Sequence, residues 1–201
     1  KHPSAWTKSD LHQHLQHAFD VEIWTIPLYL TALYSIKGLR GLKPDHYPDA
    51  AKLIQSVAIQ EMLHLEIVCN LSHALGYTPH FRAPRYREDH SIPFIHPLKK
   101  SLPPHLQEYE SKPGPLGIQT LKLFCAIELP HQPQEIQWEK RAAYHSMAEM
   151  YMALQEGIRH LWKDCYVGAM HNTRQKVRFK DYDEIRRGHH GFSQVVNSWE
   201  D

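Results

Sequence analysis

Three predicted helices of this chain each place a carboxylate where an apolar stripe requires a hydrophobic side chain. Residues 59–67 read IQEMLHLEI, and both Glu61 and His64 fall within the stripe. Glu22 takes a position in the apolar stripe of the first predicted helix, and Glu128 follows the apolar residues of the third predicted helix. An unpaired buried carboxylate is costly even after the protein relaxes, and three together repel one another. The fold must therefore bring a compensating positive charge to these acids.

Four amphipathic helices are predicted from apolar residues that recur at steps of three and four. They span about residues 9–37, 49–75, 116–129 and 146–165. We see no strand pattern, and 201 residues suffice for one domain with a hydrophobic core. The sequence thus predicts an all-α protein, a four-helix bundle at about 9–165 within a single domain of residues 1–201.

The ends and faces of these helices follow from the same pattern. The first helix is expected to start at a cap formed by Ser9 and Asp10. The third helix is expected to bury Ile118, Leu121 and Cys125 on one face. The apolar stripe of the fourth helix consists of Met147, Met150, Tyr151, Leu154, Ile158, Leu161 and Cys165.

A long proline-rich insertion is predicted between helices 2 and 3, at about residues 79–115. It holds eight of the chain's fourteen prolines, together with several aromatic residues. So long a loop is uncommon in a compact domain unless it has a function. We leave two interpretations open, a lid over a site and a surface wrap that packs its aromatics on the bundle. A polar C-terminal extension at about 172–201 is expected to be solvated.

Charge and cysteine content exclude several classes of function. Lys and Arg number 23 and Asp and Glu 22, so no bulk field attracts nucleic acid or an anionic membrane. The longest uncharged apolar stretch, 23–36, is shorter than the ~20 residues of a membrane-spanning helix. The three cysteines are far apart, form no CxxC motif and sit among apolar residues of predicted helices. This favours reduced thiols that pack as core side chains in a cytoplasmic protein.

A bound metal ion compensates the acids most directly, because the stripes carry no lysine or arginine. Residues i and i+3 of a helix project from the same side, with Cβ atoms about 5–6 Å apart, so one ion can bind both Glu61 and His64. Inward acids on two helices with a Glu-x-x-His on a third are components of di-iron and di-manganese carboxylate bundles. Oxygen ligands with one imidazole and no thiolate favour Fe or Mn over structural Zn.

Several candidate ligands have ordinary alternatives. The alternative for Glu22 is a partly exposed acid beside a proline kink, and for Glu128 an acid that faces water at a helix end. Glu149 fits a capping box with Ser146 as well as it fits a ligand. His145 is a candidate substitute for Glu149, and the pattern is compatible with one metal ion or two.

A second Glu and His pair occurs in the fourth helix. Glu156 and His160 are expected to lie opposite the apolar stripe and to form an exposed intrahelical pair. Glu149 is expected on the same polar side.

The chain resembles a known family in four successive segments. These read EIWTIPLYLTALYSIKG, SVAIQEMLHLEIVCNLSHALGYTP, FCAIELP and SMAEMYMALQEGI. They are similar to motifs of the ferritin-like domain of the iminophenyl-pyruvate dimer synthase family, whose named members act in violacein and related indole pathways. The resemblance covers most of residues 10–165. It implies a ferritin-like bundle with metal-binding residues at Glu22, Glu61, His64, Glu128 and Glu149.

The resemblance has limits that bear on activity. Family members often carry long further domains, and both segment 79–115 and His131 look particular to this chain. The fold and the metal site are therefore implied, and the imine-dimerising activity is not carried over.

The sequence predicts a metal-dependent oxidoreductase, with non-haem iron or manganese, that acts on a small molecule of secondary metabolism with O₂ or peroxide. One alternative is a non-catalytic scaffold, or partner module, whose metal only staples the helices. The other is an iron-handling ferroxidase. The sequence does not identify the substrate or the catalytic residues. A homodimer is consistent with such a bundle, although no residue argues for it.

Overall fold

The computed structural model describes residues 1–86, 103–129, 144, 146–168, 174–178 and 195–198. Its α-helices are α1 (Lys8–Tyr34), α2 (Asp49–Ala74), α3 (Ile118–Ile127) and α4 (Met147–Cys165), with short 3₁₀ turns at Pro3–Ala5, Pro44–His46 and Pro104–Leu106. The described residues contain no β-strand, which confirms the predicted all-α four-helix architecture. None of these helices is both long and apolar enough to cross a membrane.

α1 begins earlier than its expected cap. The Thr7 hydroxyl accepts the Asp10 N–H at 3.3 Å, and the Asp10 carboxylate accepts the Thr7 N–H at 2.8 Å. This reciprocal capping box satisfies two backbone donors at the start of the helix. The cap expected at Ser9 and Asp10 is therefore wrong, because Asp10 occupies the third helical position.

The core is formed by two clusters along the pair of long helices. The first joins the C-terminal half of α1, the N-terminal half of α2 and α3, and includes Trp24, Leu28, Tyr29, Ile54, Ala58, Leu123 and Phe124. The second joins the N-terminal half of α1, the C-terminal half of α2 and α4, and includes Leu11, Leu15, Val21, Val68, Leu75, Met150, Leu154 and Ile158. α1 and α2 are therefore antiparallel, and both Glu22 and Glu61 fall where the two clusters meet.

α3 buries a different face from the one that its periodicity indicated. Leu123, Phe124 and Ile127 are buried. The residues of the expected stripe are exposed, namely Ile118, Leu121 and Cys125. This ten-residue helix, IQTLKLFCAI, is apolar around most of its circumference, so the pattern could not select its buried side.

α4 buries the face that was predicted, with Met150, Leu154 and Ile158 in the core. Its last residue, Cys165, is a buried free thiol, whereas Cys69 is only partly buried. The expectation that all three cysteines are core side chains is therefore wrong at the exposed Cys125 on α3.

The first part of the proline-rich insertion lies against α1. The Trp24 indole N–H donates to the Arg85 carbonyl at 3.3 Å, and the Tyr86 hydroxyl donates to the Trp24 carbonyl at 3.0 Å. The Trp24 and Tyr86 rings lie 5.5 Å apart, centroid to centroid. These contacts at Arg85 and Tyr86 fit the interpretation of the insertion as a surface wrap that packs its aromatic residues on the bundle.

The last part of the insertion also packs on the bundle. Leu106 and Tyr109 are buried in the first core cluster, and the Leu116 N–H donates to the Ser35 hydroxyl at 2.7 Å. Residues 87–102, with Phe94 among them, lie outside the described residues. Whether the insertion acts as a lid remains a prediction.

The described parts of the C-terminal extension are anchored on the bundle. The Asn70 side chain of α2 donates to the Lys176 carbonyl at 2.6 Å and accepts the Lys176 N–H at 2.9 Å. The Gln175 amide exchanges two hydrogen bonds with the backbone of Val196. Gln175 and Val196 are buried, so the expected solvated extension is wrong at these two residues, whereas their neighbours Arg174, Lys176 and Asn197 are exposed.

Candidate metal centre

Glu22, Glu61 and His64 meet at the junction of the two core clusters. Glu22 comes from α1, and α2 supplies Glu61 and His64, which are one helical turn apart. One ligand atom from each side chain lies within 4.8 Å of the others. The packing of α1 on α2 therefore brings together three of the five residues predicted from the sequence.

The cluster is buried on its carboxylate side and open on its histidine side. Glu22 is 1% exposed and Glu61 is 4% exposed. The His64 side chain is 50% exposed, so its ring forms the boundary between the buried acids and solvent. A solute reaching this site would approach along the His64 side.

The three side chains face one another without making direct hydrogen bonds. His64 Nδ1 lies 3.6 Å from Glu22 Oε2 and 3.8 Å from Glu61 Oε1. These distances exceed those of ordinary N–H···O hydrogen bonds, which centre near 2.9–3.0 Å. These separations fall within ion-pair range, and they also leave room for an ion between the ligand atoms.

Among the described residues, each acid of the cluster receives a hydroxyl hydrogen bond on one oxygen. Thr25 Oγ1 donates to Glu61 Oε2 at 2.5 Å, and the Tyr151 hydroxyl donates to Glu22 Oε1. Glu22 Oε2 is buried and has no hydrogen-bond partner among the described residues. Buried carboxylate oxygens are normally paired, so this atom is an open ligand position, and the donor set fits a hard divalent cation.

Burial and the neighbouring charges shift the pKa values of the side chains in and around the cluster. Burial, followed by the neighbouring Glu22 charge, raises the pKa of Glu61 to about 8, although the Thr25 hydrogen bond and His64 oppose this rise. The pKa of His64 is raised, chiefly by Glu22. Burial and Glu22 raise the pKa of Tyr151, so its hydroxyl stays protonated as a donor. Without metal, the site therefore holds protons that a bound cation would displace.

Glu128 lies near the cluster but not within it. It caps the C-terminus of α3 and is exposed, so its predicted place in a buried stripe is wrong. Its Oε1 accepts a hydrogen bond from the Tyr29 hydroxyl at 2.6 Å. Its charge contributes to the raised pKa of Glu61, which is consistent with its proximity. Glu128 is not one of the three residues whose ligand atoms meet within 4.8 Å. Its role as a ligand remains a prediction.

Glu149 is buried at the start of α4, although it was expected on the polar side of that helix. It is 2% exposed, and its N–H donates to the Ser146 hydroxyl at 3.1 Å, as expected for a helix cap. Glu149 does not join the three-residue cluster, so metal binding by Glu149 also remains a prediction. His145 lies outside the described residues.

The second Glu and His pair, on α4, does not resemble the cluster. His160 is exposed, and Glu156 accepts a hydrogen bond at 3.1 Å from Arg159 rather than pairing with His160. The predicted location of Glu156 and His160 away from the core is correct, whereas their mutual pairing is not observed.

Two residues of the site were missed in the sequence analysis. Thr25 is fully buried one turn after Glu22, and its position at i+3 on the same face was the available signal. Tyr151 was counted as an apolar member of the α4 stripe, because periodicity does not distinguish a packed ring from a ring whose hydroxyl binds a buried acid.

The fold and this cluster define an antiparallel helical bundle with a candidate carboxylate–histidine metal centre. A family model described as ferritin-like matches residues 15–194. The crystal structure of a ferritin-like protein from Caulobacter vibrioides matches with a TM-score of 0.68 and 35% identity over 82% of this chain. This chain covers 57% of the length of that protein. No curated protein matches the sequence.

This chain belongs to the ferritin-like family.

Proposed function

We propose that this protein is a metal-dependent oxidoreductase that acts on a small molecule, with non-haem iron or manganese at the Glu22, Glu61 and His64 cluster. The observation that carries the proposal is the buried, unpartnered Oε2 of Glu22, which faces His64 at the edge of solvent. Iron or manganese bound here would supply electron transfer to O₂ or peroxide.

The residues of the cluster have distinct roles in this proposal. Glu22 and Glu61 supply two negative charges that match a divalent cation, and His64 supplies a neutral nitrogen ligand. The two acids are shielded by the core, whereas the His64 side of the cluster is solvated. Three protein ligands leave coordination positions open for exchangeable solutes, as catalytic sites require.

The position of the ligands argues against a purely structural metal. All three belong to α1 and α2, which already pack together along most of their length in both core clusters. A structural staple contributes most where it joins elements that otherwise have few contacts. The ferroxidase alternative needs further acids at the site, and Glu128 and Glu149 do not join the cluster.

The substrate class is proposed from the sequence resemblance. The iminophenyl-pyruvate dimer synthase family acts in indole pathways, which supports a small molecule of secondary metabolism as the substrate. We further propose that the protein works in the cytoplasm and does not bind nucleic acid, in keeping with its balanced charge of +1.

Oxygen consumption by metal-loaded protein tests the proposal. Protein purified without O₂, loaded with Fe(II) and mixed with buffer containing O₂ is expected to consume O₂ repeatedly when small indoles or aromatic amino acids are added. Protein loaded with Zn(II), which has no redox chemistry, should show no consumption. A single stoichiometric uptake unaffected by any organic substrate would contradict the proposal and favour a ferroxidase.

A further inference from the structure

We infer that Thr25 and Tyr151 are positioning residues of the metal site, each holding one oxygen of an acid so that the other oxygen faces the ion. The inference rests on the proposed function, because it requires a metal between Glu22, Glu61 and His64. It assigns a role to two buried hydroxyl groups that are not ligands.

Thr25 determines which oxygen of Glu61 is available. Its hydroxyl lies 2.5 Å from Glu61 Oε2 and 3.0 Å from the backbone carbonyl of Glu22. A hydroxyl has one hydrogen to donate, and the shorter contact, to Glu61, is the stronger one. Thr25 is fully buried, so water does not compete for this hydrogen. Glu61 Oε1 is left facing His64 Nδ1 at 3.8 Å.

Tyr151 makes the equivalent contact to Glu22 from another helix. Its hydroxyl donates to Glu22 Oε1, and Oε2 of the same carboxylate is buried without a partner, 3.6 Å from His64 Nδ1. If the hydroxyl served only to satisfy a buried acid, the second oxygen would also be expected to have a partner.

Both hydroxyls act across helices, which makes the site depend on the assembled bundle. Thr25 on α1 orients an acid of α2, and Tyr151 on α4 orients an acid of α1. With one oxygen of each carboxylate fixed, Glu22 and Glu61 each offer a single oxygen to the ion, next to the His64 nitrogen. Such outer partners set the orientation of metal ligands and their basicity.

Metal titrations of four variants test the inference, with Co(II) alone as the probe. Thr25→Val and Tyr151→Phe remove the hydroxyls and keep the shapes of the side chains. We expect each to weaken Co(II) binding by about 10- to 100-fold and to shift the visible absorption bands of the bound ion. Thr25→Ser, which keeps the donor, should retain affinity and spectrum close to wild type. Tyr86→Phe removes a hydroxyl that donates to a backbone carbonyl, and it should change neither.

The outcomes separate this inference from the function on which it rests. If wild-type protein binds Co(II) and Thr25→Val and Tyr151→Phe leave affinity and spectrum unchanged, the positioning roles are wrong and the metal site stands. If the wild-type protein binds no metal, both the inference and the proposed function are wrong. Circular dichroism of each variant establishes that a lost site does not reflect a lost fold.

Discussion

Replacing Glu61 and His64 together by alanine is expected to abolish metal binding while the helical bundle remains folded. The change removes two of the three side chains whose ligand atoms lie within 4.8 Å. Affinity for Fe(II) or Mn(II) should fall by more than the ~100-fold that loss of an outer-shell partner can cause, because true ligands are removed. The metal content of protein reconstituted without O₂, measured by inductively coupled plasma mass spectrometry, gives the result directly.

The fourth helix offers a matched control for this variant. Glu156→Ala with His160→Ala removes the same two residue types from α4, where His160 is exposed and Glu156 contacts Arg159. We expect wild-type metal content in this control and none above background in the Glu61 and His64 variant. Equal metal content in both variants would show that the ion, if any, binds elsewhere.

Glu22→Gln is expected to stabilise the metal-free protein while it weakens metal binding. Glu22 is 1% exposed and lies beside Glu61, so its charge is buried next to a like charge. Glutamine keeps the shape and an oxygen that can accept the Tyr151 hydrogen bond. At pH 8, where fewer His64 side chains are protonated than at lower pH, the repulsion between Glu22 and Glu61 dominates. Removing the Glu22 charge should then raise the free energy of unfolding by about 1.4 kcal/mol for each unit of pKa that this repulsion adds to Glu61. Urea unfolding of both proteins in a chelator measures the difference.

The pH dependence of this stabilisation has a defined sign. The pKa of Glu61 is raised to about 8 and that of His64 is also raised, so the folded state binds protons more tightly than the unfolded state. The metal-free wild type should therefore lose stability as pH rises from about 5 to 8. Glu22→Gln removes a charge that raises the pKa of both Glu61 and His64. The stability of this variant should therefore fall less steeply as pH rises.

An exposed acid provides the control for the stability measurements. Glu108 has a side chain that is 84% exposed and is 3.8 Å from Lys122, so Glu108→Gln should change stability little. A Glu22→Gln protein that is less stable than wild type at pH 8, without metal, would contradict the account of a strained acidic cluster.

The sequence contains enough information to predict the long helices and the meeting of Glu22 with Glu61 and His64. The 27 residues of α1 and the 26 of α2 repeat the apolar period many times, so their buried faces are well defined. Acids that interrupt such stripes must come together when the stripes pack. This reasoning needs only the helical period and the cost of buried charge.

The helical period does not define the buried side of a short helix, or of a residue that is buried by a neighbouring element. α3 has ten residues that are apolar on most sides, so its period did not define the buried face. Glu149 lies in the first turn of α4, where the period of that helix placed it opposite the core, yet it is 2% exposed. Its burial depends on tertiary packing that local sequence does not encode.

Hydrogen bonds between residues far apart in the chain could also not be predicted from the sequence. The Tyr151 hydroxyl reaches Glu22 across 129 positions of the chain, and Asn70 anchors Lys176 across 106 positions. Neither partner is marked by a local pattern, because tyrosine in a stripe and asparagine in a helix have many ordinary roles. These contacts are recognised only in the three-dimensional structure of the bundle.

Anomalous X-ray diffraction from crystals of the full chain grown with Mn(II) tests the central claim most directly. We predict one strong anomalous peak among Glu22, Glu61 and His64, bonded to one oxygen of each carboxylate and to a nitrogen of His64. A second peak at Glu128 or Glu149 would identify those acids as further ligands, and the predicted first site would stand. The absence of an anomalous peak among Glu22, Glu61 and His64 would contradict the metal centre and the oxidoreductase function proposed from it.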